Sequence, residues 1–112
     1  MSYRKYKARK TVVDGITFDS KAEARRYMEL KLLERAGEIK GLKLQPRYLL
    51  QESYKKNGKT VRKIEYIADF EYVDVITRKV VIEDVKGVKT PVYRLKKKIF
   101  EYVYPNYEIT EI

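Results

Sequence analysis

The stretch Ile64–Gly87, IEYIADFEYVDVITRKVVIEDVKG, constrains this chain more than any other. It predicts two strands joined by the polar turn Thr77-Arg78-Lys79. Over residues 64–73 the side chains alternate, with Ile64, Tyr66, Ala68, Phe70 and Tyr72 pointing one way and Glu65, Ile67, Asp69, Glu71 and Val73 the other. Val80-Val81-Ile82 is β-branched and apolar, as a buried strand should be. The strand then turns charged through Glu83, Asp84, Val85, Lys86 and Gly87. A strand that serves only a core has little reason to end this way. The period of two puts Asp84 and Lys86 on the face of Val80 and Ile82, and Asp69 lies on the neighbouring strand within reach of them.

The rest of the chain supplies what such a hairpin needs. Val12-Val13-Asp14-Gly15-Ile16-Thr17-Phe18 carries an Asp-Gly turn between β-branched residues and predicts a small hairpin. Ser20-Lys21-Ala22-Glu23 fits a capping box, so a helix is expected from about Lys21 to Ala36, stopped by Gly37. Glu23, Tyr27, Leu30 and Glu34 form one stripe, and Arg25, Arg26 and Glu29 mark the opposite, wetter face. Leu42–Tyr54 reads as a strand bent at Pro46, and Asn57-Gly58 as a hairpin turn leading into a long strand from Val61 to about Val75. Thr90 and Pro91 open a second helix to about Tyr104. Its expected buried stripe is Val92, Leu95, Ile99 and Val103, and its outer face Arg94, Lys97, Lys98 and Glu101. Residues 107–112 form a last strand. The fold class is α/β (α+β), one domain over residues 1–112, with helix, three antiparallel strands, helix and strand following the hairpin.

Composition decides which chemistry is open. With 26 Lys+Arg against 16 Asp+Glu the net charge is +10, which favours a polyanionic partner, nucleic acid before membrane, since no long apolar span accompanies it. Cysteine and histidine are both absent, which excludes disulfides, thiol nucleophiles, Cys/His zinc sites and Ser-His-Asp catalysis. Catalysis would have to rest on carboxylates, lysine, tyrosine and a hard cation. Residues 1–10, with Arg4 and Lys5, hold five basic side chains and no acidic one: a solvated start, or an arm along phosphates. From Lys89 to Lys98 there are five more, again without an acid. Coming just after the acidic cluster, Lys89, Arg94, Lys97 and Lys98 are expected to face phosphates.

An aspartate on one strand and an acidic-x-lysine on the next, here Asp69 and Asp84-Val85-Lys86, resemble the signature of the PD-(D/E)xK nucleases. The element order, α-β-β-β-α-β, is that of their restriction-endonuclease-like core. The wider text, VDGITFDSKAEARRYMELKLLERAGEIKGLKLQPRYLL, YIADFEY, VIEDVKG and YRLKKKIFEYVYP, is similar to small phage and prophage proteins of the endonuclease I and Holliday-junction-resolvase type. Two positions depart from the usual pattern: Ala68 replaces the proline before the aspartate, and Asp84 replaces the glutamate of the last motif, with Glu83 beside it as the other register.

The resemblance implies a metal-dependent DNA endonuclease, structure-selective in the manner of a Holliday-junction resolvase, with branched DNA, nicked duplex, a specific site and single strands all open as substrates, acting as a homodimer in the cytoplasm of a bacterium or phage-infected host. Its catalytic residues would be Glu23, Asp69, Asp84 and Lys86. Mg²⁺, with Mn²⁺ as substitute, would be held by Asp69, Asp84, the carbonyl of Val85 and Glu23, directly or through water. Lys86 would orient the attacking water and stabilise the developing charge. Glu23 has a second reading as N3 of the capping box, with no further role. The acidic cluster has one as a structural ion-pair group at a strand end. A basic DNA-binding module without catalysis is the functional alternative.

Overall fold

The computed structural model describes residues 9–112; residues 1–8 of the expected basic arm, including Arg4 and Lys5, lie outside them, and Lys10 at its end pairs with Asp19 at 3.8 Å. Strands β1 (Thr11–Val13) and β2 (Ile16–Phe18) pair as the expected hairpin, with Asp14 and Gly15 both at positive φ, 53° and 75°. Helix α1 (Lys21–Arg35) starts where the Ser20 side chain accepts from the Glu23 N–H. It ends at Gly37, φ 79°, where the Gly37 and Glu38 N–H groups donate back to Glu34 and Leu33.

After α1 come β3 (Ile39–Leu44), β4 (Arg47–Gln51), β5 (Tyr54–Lys56), β6 (Lys59–Val61), β7 (Ile64–Ile67), β8 (Phe70–Asp74) and β9 (Val80–Asp84). Helix α2 (Pro91–Val103) and β10 (Ile109–Glu111) complete the chain. The central sheet has the order β10-β9-β8-β3, with β3, β8 and β9 antiparallel and β10 parallel to β9. This is a mixed α+β architecture in which the three expected strands do form a meander. β4 and β7 continue β3 and β8 as an antiparallel pair, beyond a bend at Gln45-Pro46 and Ala68-Asp69.

That bend corrects the expected alternation. Tyr66 and Ala68 lie in one core, with Tyr48, Ile82, Tyr93, Phe100 and Ile109. Phe70 and Tyr72 lie in another, with Phe18, Ala24, Tyr27 and Leu30. On β9, Ile82 joins the first core and Val81 packs against the second, so the two cores cover opposite faces of the sheet. The alternation therefore slips by one residue at Ala68-Asp69. The cause is the bend: Gln45 takes a left-handed φ of 50°, its N–H donates to the Asp69 carbonyl, and the Ala68 N–H donates to Pro46. The α2 stripe needs the same correction. Tyr93 and Phe100 are buried, whereas Val92 and Leu95 are 62% and 59% exposed, Val103 is exposed and Ile99 is half-buried. Aromatic rings cover more of the sheet than valines, and the tyrosine hydroxyls find acceptors at the core's edge, Tyr93 on Glu111 and Tyr104 on the Leu49 carbonyl.

Candidate functional site

Asp69 sits at the bend, where three strands meet. Its N–H donates to the Glu83 carbonyl at 3.1 Å, its carbonyl accepts from Gln45, and its Oδ2 accepts from the Val85 N–H at 2.7 Å. Asp84 ends β9 and is 2% exposed. Its Oδ2 accepts from the Tyr66 hydroxyl, and its Oδ1 lies 3.1 Å from Lys86 Nζ. Lys86 in turn stands 4.3 Å above the centre of the Tyr93 ring. The first turn of α1 brings Glu23 to the same place, where its carboxyl and that of Asp69 line one pocket.

The electrostatics follow from this crowding. Burial raises the Asp69 carboxyl most, the Val85 N–H opposes that, and the charges of Asp84 and Glu23 raise it further, to about 8. Burial also raises Glu23, helped by Asp19. At neutral pH the cluster therefore holds on to a proton. Glu23 and Asp69 line a pocket of about 110 Å³, walled by Thr17 and Phe18 of β2 and by Leu44 and Gln45.

Asp69 and Asp84 share the sheet face opposite Phe70 and Glu83, and Glu83 points toward α1 instead. The register of the acidic-x-lysine sequence at this cluster is thus that of Asp84. The Asp69 carboxyl feels the charge of both Asp84 and Glu23. Among the described residues no three acidic side chains close round one point as a metal-holding group. The donor chemistry still suits a hard divalent cation, because the oxygens are carboxylates, and burial first and the charges of Asp84 and Glu23 after it lift Asp69. Asp84 is already served by Lys86 and Tyr66, so Asp69 and Glu23 are the carboxyls without a cationic partner among the described residues.

The sequence model of a family described as "Protein of unknown function (DUF1064)" matches residues 3–112. The chain belongs to DUF1064. No curated protein and no solved structure matches it.

The basic face of this DUF1064 chain divides in two. Lys89 and Lys97 both reach Glu111, at 2.9 and 3.4 Å, and Glu111 also accepts from the Tyr93 hydroxyl at 2.6 Å. Those partners, Tyr93 first and then Lys89, pull the Glu111 carboxyl down to about 2. Arg94 and Lys98 are exposed and, among the described residues, pair with no carboxylate.

Several supporting residues were not legible in the sequence. Arg26, expected on the wet face of α1, instead lays its guanidinium on Glu83, with Nε–Oε1 at 2.7 Å and Nη2–Oε2 at 2.6 Å. Glu83 is 1% exposed and also accepts from the Tyr72 hydroxyl. The pair ties α1, one turn after Glu23, to the strand that carries Asp84. Its only sequence signal is that a buried Glu needs a cation, and that signal appears only once Glu83 is known to face a helix. Tyr66 was placed opposite Asp69 by a simple alternation, and the bend is what brings its hydroxyl to Asp84. Tyr93 lies outside the aliphatic stripe that the spacing of α2 predicts, and it is Tyr93 that is buried. Finally, no described helix is long and apolar enough to cross a membrane.

Proposed function

We propose that the chain is a metal-dependent endonuclease of the PD-(D/E)xK type, with a restriction-endonuclease-like core, that hydrolyses phosphodiester bonds in DNA, branched DNA included. The observation that carries this reading is the meeting of Asp69, Asp84 and Lys86, from two adjacent strands, with Glu23 of α1 at one sheet end of a chain with net charge +10. A protein that only binds DNA gains nothing by aiming carboxylates at a phosphate.

Asp69, Asp84, the Val85 carbonyl and Glu23 would hold Mg²⁺ or Mn²⁺. When bound, the ion would lower the pKa of water and neutralise phosphate charge. Lys86, on the Tyr93 ring and beside Asp84, would orient the attacking water and stabilise the charge developing on the phosphorane. Tyr66 would fix the Asp84 carboxylate by occupying one of its oxygens. Asp69 would surrender its proton to a bound cation, since a positive charge offsets both the burial and the neighbouring carboxylates that hold that proton. Arg94 and Lys98 would lie along the backbone phosphates, without reading sequence. The exposed aliphatic stripe of α2 is where the homodimer implied by the resemblance would form, and the cytoplasm is where its DNA would be met.

A second reading is favoured by one observation: among the described residues the carboxylates are not gathered round a point as a metal-holding group, and Lys86 already pairs with Asp84. On that reading the cluster is structural and the protein is a non-catalytic DNA-binding module. Incubating purified protein with supercoiled plasmid and with a four-way junction, in Mg²⁺, Mn²⁺ or EDTA, separates the two. Cleavage in either metal and none in EDTA is expected. Binding without cleavage under every condition would leave the module.

A further inference from the structure

The β5–β6 hairpin takes no part in the site described above, and nothing in the two cores explains it. From Ser53 to Ile64 the sequence holds five basic residues and no acidic one. Every residue from Gln51 to Thr60 is exposed. Among the described elements, β5 and β6 make substantial contact only with each other. The protein's radius of gyration is 16.3 Å, against about 13 Å for a compact chain of this length. The hairpin is therefore an arm standing off the body.

Its construction is rigid and its charge is placed. Asn57 and Gly58 hold φ of 52° and 76°, which makes the tight two-residue turn that matches strand twist. The register pairs Tyr54 with Val61, Lys55 with Thr60 and Lys56 with Lys59. Lys56 and Lys59 thus share one face directly opposite each other, while Lys55 and Arg62 lie on the reverse face. Like charges placed across a ladder destabilise an isolated ribbon. Among the described residues, Lys55, Lys56, Lys59 and Arg62 have no carboxylate partner, whereas Lys63 leans on Glu65 at 3.4 Å. An arm that is self-repelling on one face and basic on both is suited to a partner with negative charge on two sides.

We propose that the β5–β6 hairpin is a groove-entering arm that docks in the major groove of double-stranded DNA, Lys56 and Lys59 facing one phosphate wall and Lys55 and Arg62 the other. The major groove admits a two-stranded ribbon, and each wall is a row of phosphates. A-form RNA, with its deep and narrow major groove, would not admit it. The arm grows from β4 and β7, the strands that run back to the bend at Asp69. At about 3.4 Å per residue, Gly58 is at most ~37 Å from Asp69 along the chain. That reach extends no further than about one turn of duplex, about 34 Å. The arm would grip the helix within about one turn of the phosphate at the carboxylates. This inference takes its partner class from the nuclease reading but does not need cleavage.

The test is duplex binding in EDTA over a range of salt, comparing wild type with the combined variant Lys55→Ala, Lys56→Ala, Lys59→Ala. The arm lies outside both cores, so the variant should melt with the wild type, and a Lys→Arg triple variant controls for charge alone. Each phosphate contact contributes about 0.9 to the slope of log affinity against log salt, so the alanine variant should lose about 2–3 from that slope and the arginine variant little. In metal, KM for duplex should rise while kcat holds. An unchanged slope with intact wild-type binding overturns the arm and leaves the nuclease reading standing. A lost slope in a protein that never cleaves supports the arm and removes the nuclease. Equal binding of duplex RNA, or loss of binding only to vesicles containing phosphatidylserine, overturns the arm as a DNA element.

Discussion

The Arg26–Glu83 pair gives a sharp stability prediction, because the carboxylate is sealed and the cation is not. Arg26→Met removes both guanidinium bonds, at 2.7 and 2.6 Å, and leaves Glu83 in the core with only the Tyr72 hydroxyl. Breaking a buried pair by removing one partner typically costs about 3–5 kcal/mol. The Arg26 side chain is 22% exposed and Glu83 1%, so water reaches one end, and the lower figure, about 3 kcal/mol, is expected. For a domain of this size that lowers Tm by roughly 12 °C, at about 4 °C per kcal/mol. Removing the whole polar group, as Arg26→Met with Glu83→Leu and Tyr72→Phe, should recover all but about 1 kcal/mol, since no unpaired charge remains. Urea titrations of the variants, with the m-value checked for constancy, measure both quantities. A loss below about 1 kcal/mol for Arg26→Met would mean the pair behaves as a solvated surface bridge, and the burial argument would be refuted. The same experiment revises an obvious control: Glu83→Gln faces away from the carboxylate cluster but should still cost stability, so its activity must be compared at matched folding.

Three further outcomes follow from the same geometry. A carboxyl held at about 8 in the folded state binds a proton that the unfolded chain releases near pH 4, so stability should fall as pH rises from about 4 to 8. Asp69→Asn should flatten that dependence in a urea-midpoint series, and a rise in wild-type stability over the same interval would contradict it. Tyr66→Phe strips the donor from a buried carboxylate and should cost about 1–3 kcal/mol in urea unfolding together with a loss of cleavage; unchanged stability would mean Asp84 does not depend on it. Tyr93→Leu removes the ring beneath Lys86 and should lower kcat for cleavage with KM unchanged, while an unchanged kcat would detach Tyr93 from the lysine.

What was legible in the sequence was what local rules govern. Ser20, Thr90 and Pro91 marked the helix starts, Gly37 marked a stop, and Asp14-Gly15 and Asn57-Gly58 marked turns that adopt the expected positive φ. These signals act over a few residues and need no tertiary knowledge. The short spacing of Asp84 and Lys86 and the adjacency of Asp69 were legible for the same reason. The misses came from choices made across the fold. A single left-handed residue, Gln45, decides where the alternation slips, and nothing around Pro46 announces that conformation. Helix α2 is apolar over about half its circumference, so aliphatic and aromatic residues competed for the sheet, and ring area with hydroxyl partners decided. Arg26 has the spacing of a surface residue, and only the packing of α1 over β9 turns it inward.

The central claim is that Asp69, Asp84 and Lys86 make a metal-dependent phosphodiester hydrolase, and Asp84→Asn tests it most directly. The substitution keeps the size of the side chain and its bond from Tyr66 while removing the negative charge. Cleavage of a four-way junction or plasmid in Mg²⁺ should fall at least about 100-fold relative to wild type, with junction binding equal or tighter, because one charge facing phosphate is gone. Metal-dependent cleavage that survives Asp84→Asn at the wild-type rate would contradict the account.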